Sequence, residues 1–114
     1  RRSNAEFYNE NLTDKVQTPR VNARFCHVFH QYTIRVPEKH RKALVEHLSK
    51  KNIETGIYYP TSLADFKYLQ NKTNCPEASL AAKEVLSLPV RPSLKKSELQ
   101  RVVNEINAFS EKWK

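Results

Sequence analysis

Residues Ile53–Pro60, IETGIYYP, are the stretch from which the fold can be worked out. They include Gly56, the only glycine in 114 residues, where average usage of about 7% would give roughly eight. Because side chains alternate along a strand, we expect this stretch to turn one set toward a core: Ile53, Thr55, Ile57 and Tyr59. The other face would place the bare backbone of Gly56 beside the hydroxyl of Tyr58, which suits close approach by a ligand or another backbone. A strand interior with a bulge is the alternative.

Two further strands are expected, at His27–Val36 and at Leu86–Arg91. Alternation in the first gives a core face with one polar member, His30, and four apolar ones: Val28, Tyr32, Ile34 and Val36. Pro89 within the second indicates an edge strand or a bulge, because proline has no N–H for the ladder.

Four amphipathic patterns predict helices. The first covers residues 1–12, and two more begin at Pro37 and Pro76, where the missing proline N–H is harmless. Residues 13–25 and 61–75 are expected to be connections, the latter with a short turn around Leu63–Leu69. The last helix, Ser97–Lys112, has the clearest apolar stripe: Leu99, Val102, Val103, Ile106 and Phe109, continued by Trp113.

This order predicts one α/β domain over residues 1–114, with a small, mainly antiparallel or mixed three-stranded sheet and helices largely on one face. An aromatic ring, an amide and a cation on the uncovered sheet face would indicate a binding partner. That face is expected to carry Gln31, Tyr58 and Arg91, with Phe29 and Gly56 between them.

Charge and composition narrow the function classes. The net charge of +8 would favour a polyanion or a phosphate-bearing ligand, but the basic residues are spread along the helices, as on a solvated surface. No apolar run approaches the ~18 residues of a membrane span, and no apolar leader is present, so we expect a cytoplasmic protein without a membrane partner. Cys26 and Cys75 are expected to be free thiols. With no methionine and an abrupt Arg-Arg start, the chain is expected to be a piece of a longer polypeptide.

Little in the residues points to chemistry performed by this chain alone. His27 and His30 would lie on opposite faces of a strand, His40 and His47 are two helical turns apart, and no acidic residue completes a set with metal spacing. A single glycine excludes nucleotide-binding loops rich in glycine and the GxSxG elbow. We therefore expect no metal, no catalytic residue and no self-contained active site, although the chain could supply part of one.

Three stretches carry a resemblance to a known family. They are RRSNAEFYNENL, the run from His27 to Pro60, and CPEASLAAKEVLSLPVRPSLKKSELQRVVNEI, which together cover nearly the whole chain. With HQYTIR, GIYYP and EVLSLPVRP in this order, the chain resembles the C-terminal small domain of the DegT/StrS-type sugar aminotransferases. These are pyridoxal-phosphate enzymes of the aspartate-aminotransferase fold. The resemblance implies a linking helix over residues 1–15 and the small domain proper over residues 16–114.

The resemblance also implies a function. Family members transfer an amino group, commonly from glutamate, to a nucleotide-linked keto-sugar, and the products feed polysaccharides and other glycans. The Schiff-base lysine belongs to a large N-terminal domain that is absent here, so this chain alone is expected neither to bind the cofactor well nor to transaminate. The implied partners are that large domain, a second subunit in a homodimer, glutamate and the nucleotide-sugar, but no nucleic acid.

Within the family the GIYYP strand and the LPVRP turn approach the active-site cleft. The resemblance thus supports Tyr58 and Arg91 as substrate-binding residues, since a phenol can donate to a phosphate or sugar oxygen and a guanidinium can hold a phosphate through two N–H groups. Tyr58 stands where histidine is frequent, and residues 62–64 read SLA where the family commonly has PLH, which leaves the sugar open. Three further candidates are Gln31, Tyr59 and His30, the last two mainly structural.

Two other functions stay open at the level of sequence. The first is an RNA-binding module, in which exposed Tyr58 and Phe29 would stack bases beside basic flanks. Against it, the basic residues lie mostly on helices and no RNP-type motif is present. The second is a non-catalytic interaction domain left after loss of the large domain.

Overall fold

The structure, a computed structural model, describes residues 1–69 and 73–114. Within these ranges the chain forms four helices and two strands: α1 (Arg2–Asn11), β1 (Tyr32–Arg35), α2 (Glu38–Lys50), α3 (Pro76–Glu84), β2 (Val85–Leu88) and α4 (Lys96–Ser110). Two short 3-10 turns, Leu63–Asp65 and Lys67–Leu69, lie in the predicted connection before α3. None of the helices in the described ranges combines the length and apolar character needed to cross a bilayer.

The four predicted helices are confirmed, and α4 shows why they form. Its start is capped by Glu98, whose carboxylate accepts the backbone N–H of Lys95 at 2.7 Å. Four residues of its apolar stripe are buried: Leu99, Val102, Val103 and Ile106. Phe109 and Trp113 are partly buried and pack against the edge of the core. Pro76 occupies the first turn of α3, where no N–H is required.

The mixed α/β class and the antiparallel pairing are also confirmed. Strand β1 pairs antiparallel with β2, with Tyr32 opposite Leu88 and Ile34 opposite Leu86. These four side chains are buried in the core. On the other face, the hydroxyls of Thr33 and Ser87 lie 2.8 Å apart.

The predicted strand at Ile53–Pro60 is wrong, so the sheet formed by the described residues has two strands and not three. Residues Ile53–Pro60 meet β2 only at Gly56, whose N–H donates to the Ser87 carbonyl at 3.0 Å and whose carbonyl accepts the Ser87 N–H at 2.8 Å. A longer ladder would need N–H donors two residues to either side of Ser87, at Val85 and Pro89. Pro89 has no N–H, and the N–H of Val85 already donates to the Ala81 carbonyl in the last turn of α3. The ladder therefore stops after one bridge.

Without a ladder, the predicted alternation of this stretch is not maintained. Ile53 is buried, but Ile57 is exposed and Tyr59 is 77% exposed. The prediction that Ile57 and Tyr59 face the core is therefore wrong.

The predicted strand His27–Val36 is shortened to its second half. The His27 imidazole accepts the N–H of Phe29 at 2.9 Å, and Phe29 adopts a left-handed backbone with φ 47°. This local bond competes with strand pairing and reverses the alternation. Phe29 is consequently buried, 5.9 Å from the ring of Tyr32 between centroids, whereas Val28 and His30 are exposed. The predicted core positions of Val28 and His30 and the open-face position of Phe29 are wrong.

Helix α1 fixes the turn that follows β2. The Tyr8 hydroxyl donates to the carbonyl of Pro89 at 2.7 Å, and the Asn4 amide donates to the carbonyl of Arg91 at 2.9 Å. Tyr8 and Ala5 are fully buried, so α1 is part of the same core. Burial raises the pKa of Tyr8, and burial together with the neighbouring Tyr8 phenol raises the pKa of Tyr32.

Candidate functional site

Two grooves meet at the GIYYP segment. The first, here called the polar groove, has a volume of about 500 Å³ and includes Glu54, Gly56, Tyr58, Arg91, Glu98 and Arg101 in its lining. The second, here called the apolar groove, has a volume of about 380 Å³ and includes Gln31, Tyr58, Tyr59, Leu63, Ala78, Ala81 and Val85. Gly56, Tyr58 and Ser87 belong to both linings and so form the wall between the grooves.

Arg91 is an accessible cation of the polar groove, with 60% of its side chain exposed. Its Nε donates to the Ser93 hydroxyl at 3.1 Å, while its Nη2 lies 3.9 Å from a Glu98 carboxylate oxygen. That second distance is too long for a hydrogen bond, so the terminal guanidinium nitrogens retain donors for an incoming acceptor. The backbone of Arg91 is held by Asn4 of α1, so the side chain extends from a fixed turn.

Charges of both signs line the polar groove. Arg91 and Arg101 supply two guanidinium groups, and Glu54 and Glu98 supply two carboxylates. Arg101 also donates to the backbone carbonyl of Lys51, which anchors it at the end of α2. The groove therefore offers donors for phosphate and acceptors for hydroxyl groups within one space.

The apolar groove has a different character. Three alanines of α3, Ala78, Ala81 and Ala82, lie along one side of it. Gln31 and Tyr59 are exposed at its margin. Small side chains on α3 thus leave room for this groove beside the sheet.

Four of the five predicted site residues fall in these two grooves. Tyr58 and Arg91 share the polar groove, whereas Gln31 and Tyr59 join Tyr58 in the apolar groove. His30 lines neither of them; it is exposed, and its backbone carbonyl accepts a hydrogen bond from Arg1 at 2.9 Å. The part of these residues in substrate binding stays a prediction.

Glu54, Glu98 and Arg101 complete the polar groove and were missed from sequence. Glu98 and Arg101 are three residues apart on α4, a spacing that by itself is typical of any solvent-exposed helix face. Their position at the groove depends on how α4 packs beside the end of α2. No local sequence signal reports that packing.

Two other classes of site gain no support. Among residues 1–69 and 73–114, no three histidine, cysteine, aspartate or glutamate side chains are grouped so that they could hold a metal ion. The RNA-binding alternative required Phe29 on the open face, but Phe29 is only 7% exposed. Base stacking on Phe29 is therefore excluded in this fold.

The residues of the two grooves do not fit pyridoxal phosphate. This cofactor is held as a Schiff base by a lysine amine, and the described linings of both grooves contain no lysine. The cations of the polar groove are guanidinium groups, which hold anions but do not form imines at neutral pH.

Comparison with known proteins places the chain in a family. The profile of the DegT/DnrJ/EryC1/StrS aminotransferase family matches residues 1–107. The chain is 44% identical over 107 residues to a "pleiotropic regulatory protein" of Geobacillus stearothermophilus, covering 88% of this chain and 27% of the relative. It is 37% identical over 109 residues to the UDP-N-acetyl-3-dehydro-alpha-D-glucosamine 3-aminotransferase of Acidithiobacillus ferrooxidans, covering 93% and 29%.

The fold agrees with this relationship. The crystal structure of the aminotransferase TlmJ from Streptoalloteichus hindustanus superposes with a TM-score of 0.87 at 26% identity, over 96% of this chain and 30% of that one. The chain thus spans less than a third of the length of the proteins that it matches. On sequence and fold together, the chain belongs to the DegT/DnrJ/EryC1/StrS aminotransferase family.

Proposed function

We propose that this chain is the C-terminal small domain of a pyridoxal-phosphate-dependent aminotransferase that acts on a nucleotide-linked keto-sugar, in amino-sugar biosynthesis for a polysaccharide or glycan. The observation that carries the proposal is the meeting of Tyr58 and Arg91 in one groove of a chain from this family. The Acidithiobacillus relative, named for a UDP-linked sugar substrate, supports the substrate class.

The chemistry of the polar groove matches such a substrate. A nucleotide-linked sugar carries a diphosphate, which a guanidinium such as that of Arg91 can hold through two N–H groups. It also carries hydroxyl groups, which can donate to a carboxylate such as that of Glu54. Tyr58 can donate to either part, so the groove would bind and orient the substrate rather than react with it.

The cofactor and the reaction itself belong to the rest of the proposed enzyme. Members of this family depend on pyridoxal phosphate, which supplies the electron sink for amino transfer when bound. We assign its lysine to a large N-terminal domain, and we propose glutamate as the amino donor and a homodimer as the assembly. In this arrangement the chain described here contributes substrate contacts and no catalytic residue.

Exposed apolar side chains support a covering partner. Five large ones are between 67% and 77% exposed: Phe25, Val28, Tyr59, Leu63 and Tyr68. Such exposure is characteristic of a surface that another part of a protein covers. The proposed large domain, which would make up most of the parent enzyme, is the simplest occupant.

Titration with UDP tests the substrate assignment. In NMR spectra of the 114-residue chain, we expect UDP to shift the resonances of Tyr58, Arg91 and Arg101, with shifts that shrink as salt is added. Arg91→Ala should weaken binding severalfold. Arg20→Ala, which removes an exposed arginine outside both grooves, is the matched control. Equal UDP affinity in the two variants would refute the assignment of Arg91.

Mixing the chain with pyridoxal phosphate tests the assignment of the cofactor. We expect no stoichiometric imine absorbance band, because neither groove presents a lysine in its described lining. A stoichiometric band that a single lysine substitution removes would contradict the assignment of the Schiff base to another domain.

A further inference from the structure

The single glycine of the chain makes room for an aromatic ring. A methyl group placed on Gly56 would lie 2.5 Å from Cζ of Tyr58 and 2.7 Å from its Cε2 and hydroxyl oxygen. Optimal carbon contacts are roughly 3.5–4.0 Å, so no side chain fits at position 56 while the ring stays where it is. The ring of Tyr58 therefore lies across the bare backbone of Gly56.

Backbone conformation does not explain the glycine. The φ angle of Gly56 is not positive, so alanine could adopt the same backbone without strain. The bridge to Ser87 uses only main-chain groups, which any residue other than proline supplies. What position 56 cannot accommodate is a Cβ beneath the Tyr58 ring.

The location of this ring gives it a role in ligand access. Tyr58, Gly56 and Ser87 form the wall between the polar groove and the apolar groove. On one side are the guanidinium groups and carboxylates, and on the other are the alanines of α3. Tyr58 is 58% exposed, so its ring can rotate outward without disturbing the core.

We propose that Gly56 is a positioning residue that holds the Tyr58 ring as a partition, so that a ligand bound at Arg91 is confined to the polar groove. The ligand part rests on the proposed function. Gly56→Ala would push the ring outward, open the wall between the grooves and let the same ligand reach the apolar groove. The single glycine thereby determines which part of the site a nucleotide-linked sugar contacts.

NMR of the 114-residue chain tests the position of the ring. We expect NOEs between the Tyr58 ring protons and the Gly56 α-protons, together with a ring-current shift of those α-protons. Tyr58→Phe should keep the shift, Tyr58→Leu should abolish it, and Gly56→Ala should remove the contact while the resonances of α4 stay unchanged. If the wild-type chain lacks these NOEs, or the Gly56→Ala variant retains them at the α-proton of the substituted residue, the positioning role is refuted.

UDP titration of Gly56→Ala tests the partition. In the wild-type chain UDP should shift Tyr58 and Arg91, and in the variant the shifts should extend to the methyl groups of Ala81 and Val85. Binding of UDP with an identical pattern in both chains would overturn the partition and leave the proposed function intact. Failure of UDP to bind either chain would count against the proposed function, whereas the ring contacts alone decide whether Gly56 positions Tyr58.

Discussion

Large apolar side chains are buried in the core, whereas several of those in the segment after α2 are exposed to solvent. In the core, Ile34, Leu48 and Ile106 are completely buried among helices and strands. In residues 57–69, here called the open segment, Tyr59, Leu63 and Tyr68 are each more than 70% exposed. The three core side chains gain the full benefit of removal from water, and the three exposed side chains of the open segment gain little of it within this chain.

The difference shows what this fold does by itself and what it leaves to a partner. A side chain such as Leu48 is satisfied by contacts within the chain. Leu63, the first residue of the 3-10 turn Leu63–Asp65, is exposed and gains further contacts only if another surface covers it. The two grooves lie at the boundary between these regions, because Ile53 belongs to the core and Tyr58 belongs to the open segment.

The largest expected difference is between the same substitution made in each region. Leu48→Ala should lower the free energy of unfolding by about 2–5 kcal/mol, because it removes a fully buried side chain and leaves a cavity. Leu63→Ala should change it by less than about 0.5 kcal/mol, because Leu63 is 72% exposed. Urea denaturation of the 114-residue chain measures both values. A large loss for Leu63→Ala would mean that the open segment is covered within this chain.

Sequence predicted the helical part of the core well because helices satisfy their backbone hydrogen bonds internally. The spacing of apolar residues in Ser97–Lys112 therefore predicted α4, observed at Lys96–Ser110, and its buried face. A strand depends on the donors of its neighbour. The donors beside the bridge of Gly56 are missing because Pro89 has none and α3 uses that of Val85, which IETGIYYP does not reveal.

The site was predictable to the extent that its residues lie near turns recognisable in sequence. GIYYP and LPVRP indicated Tyr58 and Arg91, which share the polar groove. The role of Gly56 was not predictable, since the sequence suggested approach by a ligand or another backbone. In the structure, another backbone does approach at the bridge to Ser87, but the bare side of Gly56 is occupied by the Tyr58 ring. Only the placement of that ring in three dimensions reveals it.

Alkaline pH should destabilise the core through its two buried phenols. Burial raises the pKa of Tyr8 and of Tyr32 above the ordinary value of 10.0. The unfolded chain therefore releases these protons at lower pH than the folded chain does. The contribution of the two phenols to the free energy of unfolding is complete below pH 10.0 and declines above it. Above pH 10.0, each tyrosine is expected to lower the free energy of unfolding by about 1.4 kcal/mol per pH unit.

Urea denaturation at a series of pH values checks this dependence. Tyr8→Phe and Tyr32→Phe should each reduce the decline at alkaline pH, whereas Tyr59→Phe, on the open segment, serves as the control. A stability that stays constant well above pH 10.0 would contradict the burial of the two phenols.

A smaller effect is expected for the hydrogen bond that ties α1 to the turn after β2. Tyr8→Phe removes the hydroxyl that donates to the Pro89 carbonyl at 2.7 Å, and it should lower the free energy of unfolding by about 0.5–1.5 kcal/mol at neutral pH. Tyr58→Phe is the matched change at the open segment and should stay within about 0.5 kcal/mol of wild type, because Tyr58 is largely exposed. Equal losses in both variants would place Tyr58 in a structural role.

The smallest expected difference concerns two ion pairs, one against the core and one in the polar groove. Nη2 of Arg35 lies 2.7 Å from Oε2 of Glu84, and both side chains are less than a third exposed. Glu84→Gln should therefore lower the free energy of unfolding by about 0.2–1 kcal/mol. Arg91 and Glu98 are 3.9 Å apart and more exposed, so Glu98→Gln, which can still accept the cap bond from Lys95, should leave stability unchanged. It should instead strengthen UDP binding, because a carboxylate that competes with phosphate for Arg91 is removed. Loss of stability without a gain in UDP affinity would show that Glu98 supports α4 and does not restrain Arg91.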